Sequence, residues 1–215
     1  MLLGMEVIPG INCSNLECVK ERFQKIKEFG SFWAQLDVSD GKFTPNKNWF
    51  EPADIAEIIG NFPEIKVELH FMVENPDVII GDWLKTGIRR IIVHIETAKN
   101  ISLIKELCEK YNVELMLSIA PYTPTQEILP YLNSVKYVQL LAVHPGLSGQ
   151  KFHNITDEIK LLKTNAPQIK IEVDGGITPE TAKLVKQAGA DIVAATSYIF
   201  GSPNPRKTYE ELRSI

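Results

Sequence analysis

The chain lacks most of what would tie it to another polymer or to a membrane. Among 215 residues, 23 Lys and Arg face 27 Asp and Glu, a formal net charge of -4. The basic surplus of a nucleic-acid binder is missing, and the charges are dispersed rather than grouped in runs of one sign. No apolar run is long enough to span a bilayer. The opening stretch MLLGMEVIPGINCSN lacks the basic start and the longer apolar centre of a secretory signal. A cytoplasmic protein with neither nucleic-acid nor membrane partners is therefore expected. Cysteine is scarce: Cys13, Cys18 and Cys108 have no metal-ligand spacing, and an odd set predicts reduced thiols rather than a disulfide framework. Gly/Ser linkers and low-complexity tracts are also lacking, so residues 1–215 are expected to form a single domain.

What is present is alternation. Eight short apolar runs recur: MEVIPG, FWAQLDV, IKVELHFM, RRIIVHIE, VELMLSIA, VKYVQLLAV, IKIEVDGG and ADIVAATS. Each is rich in Val, Ile or Leu, as buried parallel strands are. Between them lie amphipathic stretches. LECVKERFQKIKEFG places Val19, Phe23, Ile26 and Phe29 on one helical face and stops at Gly30. PETAKLVKQAGA has Pro179 in the first turn and Gly189 at the end, and ISLIKELCEKYN and FHNITDEIKLLKTN read as helices too. Strand then helix, about eight times, predicts a single α/β domain of the (β/α)8 TIM-barrel type. An open doubly wound sheet fits the alternation equally well; the placement of polar residues favours the barrel.

Barrel function sits at the C-terminal ends of strands, and several runs end in polar residues of one parity. Gln35, Asp37 and Ser39 alternate with Leu36 and Val38; Glu68, His70 and Met72 alternate with Leu69 and Phe71; Glu172 and Asp174 precede Gly175-Gly176. Two carboxylates and an imidazole converging at one mouth suit a divalent cation, so Asp37, His70 and Asp174 are candidate ligands, with the Gln35 carbonyl oxygen as a weaker fourth. Asp40, before Gly41, reads as a turn former. His94 reads as a hydrogen-bonded core histidine, and Glu68 and Glu172 as deeper paired charges. Glycine supplies a second pattern. HPGLSGQKF, VDGGITPE and ATSYIFGS follow the last three runs, where barrels commonly hold phosphate. Gly146, Ser148, Gly149, Gly175, Gly176, Thr196 and Ser197 are the candidate phosphate contacts.

LDVSDGKFTPN, LHFMVENPD, VHIETA, VHPGLSGQKF and IEVDGG, with VIPGIN and IFGS at the two ends, resemble the ribulose-phosphate 3-epimerase family over nearly the whole chain. The resemblance implies a TIM barrel, a divalent metal (Zn, Fe, Mn or Co), a phosphorylated ketose substrate of the pentose phosphate pathway and a homo-oligomer. Carried over residue by residue, Asp37, His70 and Asp174 match metal ligands and Asp37 with Asp174 the acid/base pair. Met72 matches a sulfur-bearing residue beside the metal. The chain departs from the family pattern at the mouth. Gln35 stands for a ligand histidine, Ser39 for a methionine, Gly10 for a serine, His144 for an asparagine, Thr196 for a glycine and Leu141 for a methionine. With Gln35 as an oxygen donor, a shift from zinc towards Mn or Mg is expected, or replacement of the lost nitrogen by His144.

The implied activity is epimerisation of D-ribulose 5-phosphate to D-xylulose 5-phosphate by two-carboxylate, metal-assisted proton transfer. The alternatives are a hexulose-phosphate 3-epimerase of the allulose-6-phosphate type and a phosphosugar-binding barrel without epimerase activity. A synthase or decarboxylase of the Asp-x-Lys type is disfavoured, because the matching stretch is Asp37-Val38-Ser39.

Overall fold

The computed structural model describes residues 5–215. The strands are β1 (Glu6–Ile11), β2 (Trp33–Asp40), β3 (Lys47–Asn48), β4 (Lys66–Met72), β5 (Arg90–His94), β6 (Glu114–Ile119), β7 (Tyr137–Leu141), β8 (Lys170–Asp174) and β9 (Ile192–Ala195). They pair in the order β1-β9-β8-β7-β6-β5-β4-β2-β3, and β1 also pairs with β2. Every pairing is parallel except the short β2–β3 ladder. The β1–β2 and β1–β9 pairings close an eight-stranded ring, which excludes the open sheet. β3 lies outside the ring as a clip on the end of β2.

The helices are α1 (Leu16–Phe29), α2 (Pro52–Asn61), α3 (Pro76–Trp83), α4 (Ile101–Lys110), α5 (Thr156–Asn165), α6 (Pro179–Ala188), α7 (Ser197–Phe200) and α8 (Pro205–Arg213). α1 buries Val19, Phe23, Ile26 and Phe29, as its spacing predicts, and Gly30 ends it with φ 73°. One unit departs from the expected alternation. The connection after β6 is a 3-10 helix, Thr125–Tyr131, with Pro124 at its start and Pro130 inside it; proline interrupts the ladder of a longer α-helix. α5 also begins at Thr156 rather than Phe152, because the His153 N–H is bonded to Ala142 O at the end of β7.

Side-chain parity divides the barrel into two regions. Outward residues such as Leu36, Leu69, Phe71, Val93, Leu117, Leu140 and Val173 join the helices in one continuous apolar cluster. Ile8, Met72, Ile92, Met116, Leu141 and Ile192 are buried but stand apart from that cluster. They share the interior with Gln35, Asp37, Glu68, His70, Arg90, His94, Ser118, Gln139 and Glu172, all nearly inaccessible. Arg90 bonds Glu68 at 2.8 Å and lies over the rings of Tyr137 (3.9 Å) and Trp33 (4.5 Å). Two aromatic faces and a carboxylate thus shield the cation.

Two cysteines depart from expectation. Cys13 and Cys18 form a disulfide across the entry to α1, with Cα atoms 5.8 Å apart. The turn capped by Asn15 brings the two Cα atoms into bonding range. Cysteine content therefore gives no argument for a reducing compartment. Cys108 is buried and free, and burial pushes its thiol up to about 12. Among the described residues no helix is long and apolar enough to cross a membrane.

At the opposite end of the barrel from the candidate site, Asp191 accepts from Lys163 Nζ (2.7 Å), Lys170 Nζ (2.7 Å) and the Ile171 N–H (3.0 Å). Burial would raise its carboxyl, but these donors outweigh it and hold it below the ordinary value. A depressed folded value contributes stability above the unfolded pKa, about 3.9, that is lost as pH falls through the folded one. Asp191→Asn is expected to cost about 1–2 kcal/mol at pH 7, with the gap to wild type closing below pH about 4. Urea unfolding at several pH values measures it; a gap that stays constant down to pH about 3 contradicts the assignment.

Candidate active site

β2 and β4 run in register with Asp37 opposite His70, and β7 and β8 with Leu141 opposite Asp174. These strands bring three ionisable groups to the C-terminal mouth, their ligand atoms within 4.8 Å of one another. His70 Nδ1 lies 3.4 Å from Asp37 Oδ1 and 3.4 Å from Asp174 Oδ2. It is buried and makes no well-formed hydrogen bond.

The other imidazole nitrogen explains the ring's orientation. His70 Nε2 lies 2.9 Å from His94 Nε2, and His94 Nδ1 lies 3.2 Å from Glu96 Oε2. Glu96 is itself fixed by the Ala120 N–H and Thr123 Oγ1. An ionised carboxylate can only accept, so His94 donates from Nδ1 and accepts at Nε2, and His70 donates from Nε2. His70 Nδ1 is then left to face the carboxylates. His94 is thus a hydrogen-bonded buried histidine, and it also sets the tautomer of His70.

Burial works against a charged His70, but Asp174 and Asp37 outweigh it and raise its pKa to about 9. His94 is lowered, by burial first and by the neighbouring His70 charge. Asp37 is raised, chiefly by burial, against the pull of His70 and Gln35. Two carboxylate oxygens and an unpartnered imidazole nitrogen facing one another make a donor set that fits a divalent cation.

Gln35 departs from its expected role. Its amide nitrogen, not its oxygen, faces the site, donating to Asp37 Oδ1 (3.1 Å) and Asp174 Oδ2 (2.9 Å), while its oxygen accepts from Gln139 Nε2 (3.2 Å). Two carboxylates demand donors, and the amide turns to supply them. Asn12 holds the remaining oxygen of Asp37 (3.0 Å) and also bonds Gly146 O. Ser39 turns to the loop, bonding Asn46 O and the Asn48 N–H, and so fastens β2 to β3. Asp40 accepts from the backbone of Lys42, Phe43 and Glu74, as a turn former does. Glu68 pairs with Arg90 and Glu172 with Gln139.

His144 lies exposed at the rim and stacks on Tyr122, with ring centroids 5.8 Å apart. It lines the pocket and is no part of the Asp37–His70–Asp174 group. Met72 and Leu141 line the pocket from below. Gly146, Ser148, Gly149, Gly175, Gly176, Thr196 and Ser197 all line the same pocket. Gly176, at φ 64°, sits where a Cβ would come within 2.8 Å of Phe152 Cα. Gly10 and Thr196 prove to be one feature: a Cβ on Gly10 would lie 2.1 Å from Thr196 Oγ1. Without a side chain at position 10, a hydroxyl from the end of β9 occupies that space. Asn12, Glu96, Ser118 and Gln139 were not among the expected site residues. For two of them the signal is parity: Ser118 and Gln139 are polar residues at inward positions, each between apolar neighbours on its strand.

Fold and site together define a class: a TIM-barrel enzyme with two carboxylates and an imidazole facing a glycine-lined pocket. Residues 6–200 match the model of the ribulose-phosphate 3 epimerase family, and the chain belongs to that family. It is 35% identical over 206 residues to the ribulose-phosphate 3-epimerase of Chlamydia trachomatis, covering 92% of this chain and 87% of the other. Its identity to the Bacillus subtilis protein of that name is 31% (97% and 98% covered). To the Methanocaldococcus jannaschii protein it is 34% (91% and 84% covered). Among solved structures, 3-hexulose-6-phosphate synthase from Salmonella typhimurium superposes with TM-score 0.76 at 13% identity, covering 98% of this chain and 97% of that one. Mycobacterium tuberculosis tryptophan synthase gives TM-score 0.72 at 14% identity (98% and 92% covered). At such identities these two show the shared barrel alone.

Gly176→Ala is expected to cost about 1–3 kcal/mol, from its left-handed backbone and its contact with the Phe152 main chain. Phosphosugar affinity should fall at least about tenfold, a loss of about 1.4 kcal/mol in binding. Calorimetric titration and thermal melts measure the two effects, and wild-type affinity in the variant would remove Gly176 from the ligand-binding surface.

Proposed function

We propose that this chain is a ribulose-phosphate 3-epimerase interconverting D-ribulose 5-phosphate and D-xylulose 5-phosphate. The observation that carries this reading is the pair Asp37 and Asp174, brought from β2 and β8 to one imidazole nitrogen and one amide nitrogen. A protein that only held a sugar phosphate would have no use for two carboxylates beside it.

Inverting the carbon next to a ketone requires a proton to leave one face and another to arrive at the opposite face. Asp37 serves one face and Asp174 the other, one ionised and one protonated, and the roles exchange with the direction of reaction. Asp37, Asp174 and His70 would hold the divalent cation (Zn, Fe, Mn or Co). That cation supplies positive charge against the negative charge developing on the substrate oxygens. Gly146, Gly149, Gly175, Gly176 and Ser197 grip the phosphate, and Thr196 adds a hydroxyl beside them. Binding at that remote group orients the reacting carbon between the two carboxylates.

The decisive experiment follows turnover of D-ribulose 5-phosphate, with each metal added in turn, alongside deuterium uptake from D2O at carbon 3. Wild type should turn over and exchange. Asp37→Asn and Asp174→Asn should each lose about 10²–10⁴ in kcat while still binding the phosphosugar. Binding without turnover or exchange under any metal would overturn the epimerase reading in favour of a phosphosugar-binding barrel. Turnover confined to hexulose phosphates would overturn the pentulose assignment.

A further inference from the structure

A directional hydrogen-bond chain runs through the barrel interior beneath the site. Ser118 Oγ bonds Gln139 Oε1 at 2.7 Å. Gln139 Nε2 bonds both Glu172 Oε1 (2.9 Å) and Gln35 Oε1 (3.2 Å). Gln35 Nε2 bonds Asp37 Oδ1 and Asp174 Oδ2. Those are the same two oxygens that face His70 Nδ1.

We propose that Gln35 is a hydrogen-bond clamp on the two carboxylates, with its polarity fixed by Ser118 and Gln139, and that the centre takes its cation on three protein donors, Asp37, His70 and Asp174. This rests on the metal reading given above and extends it to a residue whose amide oxygen would otherwise count as a fourth ligand. The direction of the chain is set from both ends. Asp37 and Asp174 offer acceptors at the mouth. At the other end, Glu172 Oε1 is the acceptor that Gln139 Nε2 meets at 2.9 Å. Gln139 must therefore present its NH2 to Glu172 and to Gln35, and Ser118 must donate to its oxygen.

Turning the Gln35 oxygen towards the metal would set its NH2 against the NH2 of Gln139. Relieving that clash by turning Gln139 would set oxygen against oxygen at Glu172. No flip of one residue satisfies the buried chain. Gln35 thus does for the carboxylates what an outer hydrogen-bond partner does for a metal ligand: it fixes which lone pair points inward.

The test uses the full chain freed of metal and titrated with Co(II), which reports both affinity, by chelator competition, and donor set, by its visible bands. In Gln35→Leu, Co(II) affinity should fall about 10–100-fold with band positions and intensities unchanged, because no donor is lost. Gln139→Leu should also weaken binding, since the clamp loses its orientation. If Gln35 were a ligand, Gln35→Leu would shift the bands, and Gln139→Leu would free the amide oxygen and tighten binding; either result overturns the clamp. Should Gln139→Leu fail to fold, Ser118→Ala is the milder break in the same chain. It is expected to weaken Co(II) binding, and unchanged or tighter binding counts against the proposal. A wild-type chain that takes up no Co(II) would overturn the underlying metal reading instead.

Discussion

Asp37 and Asp174 approach one imidazole nitrogen, each at 3.4 Å, from strands far apart in sequence and on either side of β1 and β9 in the ring. Most of what surrounds the mouth follows from holding that charge out of water. Burial of an ionised carboxylate is unfavourable unless donors surround it. Asp37 has Gln35 on one oxygen and Asn12 on the other. His70 must keep a donor or a cation at Nδ1, and the Glu96–His94 pair behind it fixes the ring so that this nitrogen is the one presented. A shift of one residue of either strand in the β2–β4 register would turn its member of the pair, Asp37 or His70, out of the barrel. Their shared register is therefore the structural condition for the site.

Below the mouth the interior remains polar. The Arg90 guanidinium lies against Trp33 and Tyr137 and pairs with Glu68, while Glu172 is pushed up to about 7, chiefly by burial. A wholly aliphatic interior would fill the same volume with less desolvation. In exchange for that cost, the polar layer gives the amides above it a defined direction. Fixed hydrogen-bond direction in a water-poor interior is what holds a proton-transfer pair in one arrangement.

The architecture was legible because parallel strands buried on both faces leave continuous apolar runs, and all eight runs became barrel strands. Parity placed Asp37, His70 and Asp174 on one side of their strands, and closure of the ring made that side the inside. Parity does not show where a side chain ends. Gln35, Asp37 and Ser39 share it, yet Ser39 fastens a loop, Asp37 faces the pocket and Gln35 presents nitrogen rather than oxygen. The direction of an amide depends on neighbours from other strands, here Gln139, 104 residues away. Likewise Asn12 acts through contacts with residues distant in sequence, and no local pattern marks it. The Cys13–Cys18 bond was missed because an odd count says nothing of which two sulfurs a turn brings together.

The departures from the family pattern look, as a string of letters, like damage to a site. In space two of them resolve into local exchanges. Gly10 and Thr196 occupy one volume: the hydroxyl from β9 fits because β1 carries no side chain there. At Gln35 a neutral donor meets the same carboxylates that a cation would, and the Gln139 amide behind it has the matching polarity. Random loss would be expected to leave buried polar atoms unpaired where the substitution fell. The amide atoms of Gln35 are instead bonded at both ends. The unpaired buried atoms nearest the mouth are His70 Nδ1, which faces the two carboxylates, and Asn46 Oδ1, beside Gly146. The first of these is the position that the acid/base pair and a cation would share. Under the epimerase reading proposed above, a site whose replaced residues are mutually satisfied, and whose open valence faces the two carboxylates, is refitted around Asp37 and Asp174 rather than lost.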